Sequence, residues 1–107
     1  MFPGGMGNMQ GMMKRVQKMQ ADMLKMQEKL QATKFENSVG GGAVSVVLTG
    51  KKELVSIKIN PEAVDVDDME MLEDMIVSAI NECMHKIDET SDKEMTKITG
   101  GMKLPGM

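Results

Sequence analysis

Residues 40–61, GGGAVSVVLTGKKELVSIKINP, decide the fold of this 107-residue chain. Apolar side chains recur there at every second position in two runs, which are Val44, Val46, Leu48 and then Val55, Ile57, Ile59. A period of two is typical of strands, so the runs predict strands over 44–49 and 54–59. Gly50, Lys51 and Lys52 form the short turn between them, and a turn of this length joins antiparallel neighbours.

A weaker strand precedes this hairpin. Residues 34–39 have only Phe35 and Val39 as apolar support, but they end at the glycines 40–42, which predict another turn. Asn60 and Pro61 close the sheet on the other side. The predicted sheet is therefore a three-stranded antiparallel meander.

A long amphipathic helix is predicted upstream of the sheet. Its apolar residues are spaced alternately three and four apart, at Met9, Met12, Val16, Met19, Met23, Met26 and Leu30. This heptad spacing predicts a helix with one apolar seam, and no glycine or proline interrupts residues 12–34. We call these seven residues the methionine seam.

A second amphipathic helix is predicted downstream of the sheet. Asp67 fits its N-cap, with Glu70 as the capping-box partner, and the acids around them suit the positive end of the helix dipole. The predicted buried stripe is Met69, Leu72, Ile76, Ala79, Ile80, Cys83 and Ile87. The helix is expected to reach Ile98, just before Gly100, unless residues 90–92 break it early.

The element order α-β-β-β-α predicts an α+β fold with a single domain over 1–107 and flexible tails at 1–8 and 100–107. Helices of ~25–30 residues are ~38–45 Å long, whereas a six-residue strand is ~20 Å. Three short strands cannot cover two such helices. The uncovered methionine seam therefore predicts a two-fold homodimer, and the alternative is an adaptor that docks protein partners on this Met-rich surface.

No catalytic or metal constellation is present in the sequence. Cys83 is the only cysteine and His85 the only histidine, and at this spacing on a helix they point to different faces. The acidic run 65–74 lacks the glycine and the ligand spacing of a calcium loop, and residues 40–42 lack the Lys-Ser/Thr of a P-loop. We predict no enzyme activity, no cofactor and no metal. A signal peptide and a bilayer-spanning run are also missing, which predicts a cytoplasmic protein with no membrane partner.

Charge is divided unevenly along the chain, whose net charge is −3. Residues 1–34 carry a net +4 and residues 35–107 a net −7. Lysines form two rows, Lys14, Lys18, Lys25 and Lys29 on the first helix and Lys86, Lys93 and Lys97 on the second. Such rows suit a polyanion with charges along its length, although a solvated helix face is the competing interpretation.

The composition narrows the kind of nucleic-acid binding that is predicted. Arg15 is the only arginine, so bidentate guanine readout is scarce. The chain has no Trp or Tyr on which single-stranded bases would stack. We therefore predict contact with the backbone of duplex DNA. The candidate DNA-binding residues are Lys14, Arg15, Lys18, Lys25, Lys29, Lys86, Lys93 and Lys97.

Nearly the whole chain resembles the YbaB/EbfC family of bacterial nucleoid-associated proteins. The matching stretches are KMQ at 18–20, MLKMQE at 23–28, GGGAV at 40–44, IKINP at 57–61, DDMEMLED at 67–74, Asn81 and GMKLPG at 101–106. The resemblance implies an α-β-β-β-α subunit, a tweezer-shaped homodimer located at the nucleoid, and DNA binding that alters DNA conformation and contributes to nucleoid organisation and gene regulation. It also implies that the helical arms contact DNA, here residues 12–32 and the later half of the second helix.

Overall fold

The computed structural model describes the backbone of residues 3–100 and the side chains from residue 9 onward. Two helices flank a three-stranded sheet in the order α1 (Pro3–Ala32), β1 (Lys34–Val39), β2 (Val44–Thr49), β3 (Leu54–Ile59) and α2 (Met69–Thr99). The strands pair in sequence order, and both pairs are antiparallel. The predicted α-β-β-β-α meander is confirmed.

β2 is the central strand, and the alternation that predicted it divides its two faces. Val44, Val46 and Leu48 are buried, whereas Ser45, Val47 and Thr49 on the other face are partly exposed. The buried face packs against the stripe of α2 that contains Ala79, Cys83 and Ile87. The core therefore lies between α2 and the first two strands.

β3 is left largely uncovered, because α2 packs on β1 and β2. Ile57 stands opposite Val46 and Ile59 opposite Val44, so both share the face that α2 covers on β2. A register shift then places Leu54, rather than Val55, opposite Leu48. Yet Leu54, Ile57 and Ile59 are 39–46% exposed. We call Leu54, Ile57 and Ile59 the β3 strip.

The N-cap of α2 is Asp68, so the prediction of Asp67 is wrong by one residue. The Asp68 carboxylate accepts a hydrogen bond from the Met71 N–H at 3.1 Å. The reason is a turn that Asp65 closes, since the Asp65 carboxylate accepts from the Asp67 N–H at 2.9 Å and its carbonyl accepts from the Asp68 N–H at 3.0 Å. Asp67 therefore lies inside this turn, and the helix begins after the next residue, Asp68.

Two further expectations about α2 are corrected or decided by the structure. Met69 was predicted to be buried but is 55% exposed, because it begins the helix before the helix reaches the core. The helix does not break at residues 90–92 and continues to Thr99. It ends at Gly100, whose left-handed conformation (φ 66°) lets its N–H bond to the Thr96 carbonyl.

α1 begins at Pro3, earlier than the first residue of the methionine seam, and proline suits the first turn of a helix. The predicted flexible tail over 1–8 is therefore helical from residue 3. Residues 1–2 and 101–107 lie outside the described part of the chain, where the prediction of flexible tails is not tested.

The end of α2 divides the methionine seam into a covered part and an exposed part. Met26 is buried and Met19, Met23 and Leu30 are partly covered, because they run along α2. Met9, Met12 and Val16 are 65%, 64% and 51% exposed. Lys97 and Ile98, near the end of α2, lie beside Arg15 to Asp22, so α2 does not extend along the preceding turns of α1 within the described residues. We call residues 9–18 of α1 the arm. The molecule measures 78 × 22 × 17 Å.

Gly50 fixes the hairpin against the end of α1. Its N–H donates to the Thr33 carbonyl at 3.1 Å, and the Thr33 N–H in turn donates to the Leu30 carbonyl at 3.1 Å. A Cβ on residue 50 would overlap the carbonyl group of Leu30. The β2–β3 turn can approach α1 this closely only because residue 50 has no side chain.

Candidate nucleic-acid interface

The lysine row of α1 lies on an exposed face of the helix. Lys14, Lys18, Lys25 and Lys29 are all exposed, and helical geometry keeps them within roughly 60° of one another. Among the side chains of residues 9–100, ion pairs within 4.0 Å join only Lys52 to Asp88 and Lys97 to Glu94. The positive charge of this row is therefore not neutralised by a partner in the described chain.

Arg15 and Lys18 come together with Lys97 where the two helices lie side by side. With Met19, Asp22 and Ile98 they line a cleft of about 440 Å³ between α1 and the end of α2. Three cations against one carboxylate give this cleft an excess of positive charge. We call Arg15, Lys18 and Lys97 the basic cleft. Its open shape and its charge suit an anionic group such as a phosphate.

Lys97 remains available in this cleft despite its ion pair. Its Nζ lies 3.4 Å from Glu94 Oε1, and its side chain is 74% exposed. An exposed pair one helical turn apart contributes little binding energy because water screens it. A phosphate can therefore replace Glu94 as the partner of Lys97 at small cost.

Lys86 occupies a different environment from the other cations of its row. Its Nζ donates a hydrogen bond to the Glu36 carbonyl of β1 at 3.0 Å. This contact ties α2 to the edge of the sheet and uses one of the three ammonium donors. Lys93 of the same row is exposed on α2 and does not line the basic cleft.

Lys29 lines a separate pocket of about 220 Å³, whose apolar floor is Met26, Leu30 and Phe35. Glu94 lies on the rim of the same pocket, but its ion pair within 4.0 Å is with Lys97 and not with Lys29. Of the eight candidate residues, the structure thus brings Arg15, Lys18 and Lys97 into one cleft. Lys14, Lys25 and Lys93 stay on open helix surface, whereas Lys29 and Lys86 face other groups.

Asp22 is the one charged residue of the cleft that was not among the candidates predicted from the sequence. It follows Lys18 by four positions, which places both on the same side of α1. That spacing was visible in the sequence. The approach of Lys97 was not, because nothing local to either helix specifies how the two helices are paired.

Cys83 and His85 do not form a catalytic pair. Cys83 is buried and its thiol donates to the Phe35 carbonyl at 3.4 Å, whereas His85 is exposed. Burial raises the pKa of the Cys83 thiol, which disfavours the nucleophilic thiolate. Within the described residues, no three His, Cys, Asp or Glu side chains are grouped to hold a metal. No helix in that part of the chain has the length and apolar character that crossing a membrane requires.

Several known proteins are similar to this chain in sequence or in fold. The profile of the YbaB/EbfC DNA-binding family matches residues 6–102. A nucleoid-associated protein of Ruminiclostridium cellulolyticum is 57% identical over 99% of this chain and 95% of its own length. One from Alkaliphilus metalliredigens is 54% identical with the same coverage. The crystal structure of an uncharacterized protein from Helicobacter pylori matches with a TM-score of 0.61 at 27% identity, over 73% of this chain and 90% of the other.

Proposed function

This chain belongs to the YbaB/EbfC DNA-binding family of nucleoid-associated proteins, and from that premise we propose that it binds duplex DNA as a homodimer, mainly through the phosphate backbone. Binding of this kind alters the conformation of the duplex and contributes to nucleoid organisation and gene regulation. The place of action is the nucleoid in the cytoplasm. We propose no catalytic step, cofactor or metal for this function.

The basic cleft is the observation that supports this proposal most. Arg15 and Lys18 project from α1 and Lys97 from α2, so one phosphate can be held from two helices at once. The exposed row of Lys14, Lys25 and Lys29 continues the positive surface along α1. Cations spaced along a helix match phosphates spaced along a strand, and releasing their counterions drives binding without base contacts.

The β3 strip supports the homodimer. Leu54, Ile57 and Ile59 form an exposed apolar row on a sheet edge, a surface that soluble proteins normally cover. α2 extends this surface at Val77, which is 56% exposed. Val77 lies within roughly 20° of Asp88 around the helix, and Asp88 pairs at 2.7 Å with Lys52 in the β2–β3 turn. That side of α2 therefore faces β3.

The adaptor alternative is less favoured than DNA binding. The arm does expose Met9, Met12 and Val16, as an adaptor would require. However, the matching family is described as DNA-binding, and the uncompensated cations lie on the same helix. We therefore propose DNA contact as the main function of this helix.

The proposal is tested by neutralising the basic cleft. The triple variant Arg15→Gln/Lys18→Gln/Lys97→Gln should bind a random-sequence duplex more weakly. Each lost phosphate contact lowers the slope of log K against log salt by about 1, and these three cations hold one phosphate together, so the slope should fall by about 1 for each protomer. Fluorescence anisotropy titrations at several salt concentrations give this slope.

The matched control is Lys34→Gln/Lys51→Gln/Lys58→Gln, which removes the same charge from exposed positions of β1, β3 and the turn. Its slope should stay close to that of the unaltered protein, and so should the slope of Lys86→Gln. If the control and the cleft variant lose equal slope, overall charge governs binding and the assignment of the cleft is wrong.

A further inference from the structure

A second charged surface lies at the other end of the molecule, beside the first half of α2. It is a shallow groove of about 480 Å³ with three apolar residues, Val39, Met71 and Met75, and with Ser78. Four carboxylates line the same groove, from Asp68, Glu70, Asp74 and Glu82. We call these eight residues the acidic groove.

The formation of α2 does not account for all of this negative charge. Asp68 caps the helix and Glu70 lies in its first turn, where acids are favourable. Asp74 and Glu82 lie beyond the first turn, where the helix dipole no longer favours them. Neither has a cation within 4.0 Å among the side chains of residues 9–100. Glu70, Asp74 and Glu82 also lie on one ridge at spacings of four and eight, so their like charges repel.

The arm has the complementary properties. Met9, Met12 and Val16 expose an apolar side, and Lys14, Arg15 and Lys18 supply positive charge next to it. The groove offers apolar contact at Met71, which is 55% exposed, beside its carboxylate ridge. Met–Met contacts adapt to irregular surfaces, and the flanking charges would fix the partner and its orientation.

The geometry decides which arm can enter which groove. The groove lies along residues 68–82 of α2, whereas the arm begins beside Lys97 and Ile98 and runs away from them. The two surfaces therefore lie toward opposite ends of a molecule 78 Å long. A rigid α1 cannot bring the arm back to the groove of its own chain, so the partner has to be another copy.

We propose that the acidic groove of one copy binds the arm of another copy when DNA is absent. The contact joins two different surfaces, so it is heterologous and can link more than two copies. It leaves the β3 strip free, because the groove is lined by Val39 of β1 and by residues 68–82 and by no residue of β3. DNA phosphates and groove carboxylates compete for the same arm cations, so DNA binding releases this contact. The proposal goes beyond DNA binding, and its main test contains no DNA.

The test is sedimentation velocity without DNA at low and at high ionic strength. At low salt the unaltered protein should form species larger than those at high salt, where the screening length falls to ~3 Å. Asp74→Lys/Glu82→Lys should abolish the larger species, and so should Lys14→Glu/Lys18→Glu. Mixing these two variants should restore them, because the acidic arm of one variant then meets the basic groove of the other.

The matched control is Glu36→Lys/Glu53→Lys, which changes the net charge as the groove variant does but at exposed positions of the sheet and its turn. It should retain the larger species, and circular dichroism should give the same helix content for all variants. If the unaltered protein stays one species at low salt, the proposed contact between copies is wrong. The groove would then bind a basic segment of a different protein. A mixture that fails to restore the larger species would also overturn it.

Discussion

Single glycines act in two different ways in this chain. Gly40, Gly41 and Gly42 have φ values of 62°, 66° and 97°, a conformation that other residues rarely adopt. Their order in the sequence was enough to predict the β1–β2 turn. Gly50 was also predicted to lie in a turn, but its special role is the close approach to Leu30. That contact joins segments 20 residues apart, so no local pattern announces it.

Replacing Gly50 with alanine should destabilise the fold. The added methyl group would overlap the Leu30 carbonyl, so the β2–β3 turn must move away from α1. Small-to-large changes at a tight contact cost about 1–3 kcal/mol. Urea denaturation followed by circular dichroism at one fixed protein concentration measures this loss.

Gly11→Ala is the control for this substitution. A Cβ at residue 11 has no atom within 4 Å, and the residue lies inside α1. Alanine is the better helix former there by about 0.5–1 kcal/mol, so stability should rise or stay unchanged. If Gly50→Ala proved as harmless as Gly11→Ala, the described approach of the turn to α1 would be incorrect.

Helices and strands were predictable to different degrees. The bounds of the three strands agree with the sequence because alternation and glycine turns are local signals. The methionine seam was predicted as one continuous surface, and the structure divides it because α2 ends beside Arg15 to Asp22. The N-cap of α2 was misplaced because Asp65, Asp67 and Asp68 all suit a cap. Only the backbone turn closed by Asp65 distinguishes them.

The N-cap assignment makes a prediction for α2. Asp68→Ala removes the carboxylate that accepts the Met71 N–H, and loss of such a cap costs about 0.5–2 kcal/mol. Asp67→Ala removes a carboxylate from the preceding turn and should cost less. Thermal or urea unfolding of the two variants compares them directly, and the reverse order would restore Asp67 as the cap.

The candidate site was harder to predict from the sequence than the fold, because it depends on how distant elements are arranged in the whole molecule. The sequence supplied all three cations of the basic cleft as candidates, because spacing places Lys18 and Lys97 in the two lysine rows and Arg15 is the only arginine. It could not bring Lys97 to Arg15, since that requires the antiparallel pairing of α1 and α2. For the same reason, the hydrogen bond from Lys86 to the Glu36 carbonyl could not be predicted from the sequence.

The proposed dimer can be tested at two places on its surface. Ile57→Asp on the β3 strip and Val77→Asp on α2 each put a charge on an exposed apolar surface, where neither side chain supports the core. Burying an unpaired carboxylate against a second copy is strongly unfavourable. Both variants should therefore shift the protein toward monomers in sedimentation equilibrium while keeping their helix content.

Lys58→Met changes the net charge by the same amount on the opposite face of β3, where Lys58 stands opposite Ser45. It should leave the dimer intact. Dimers that persist in both aspartate variants would place the two-fold contact elsewhere, with the exposed half of the methionine seam as the next surface to examine.

The elongated shape of the molecule affects how its mass is determined by X-ray scattering in solution. The Cα radius of gyration is 21.0 Å, whereas a compact chain of this size would have about 13 Å. The same scaling relation gives that larger radius to a compact chain of about 380 residues. A single copy therefore scatters X-rays at low angles with the radius of a much heavier globule. Forward scattering intensity, which depends on mass and not on shape, is the quantity that counts its copies.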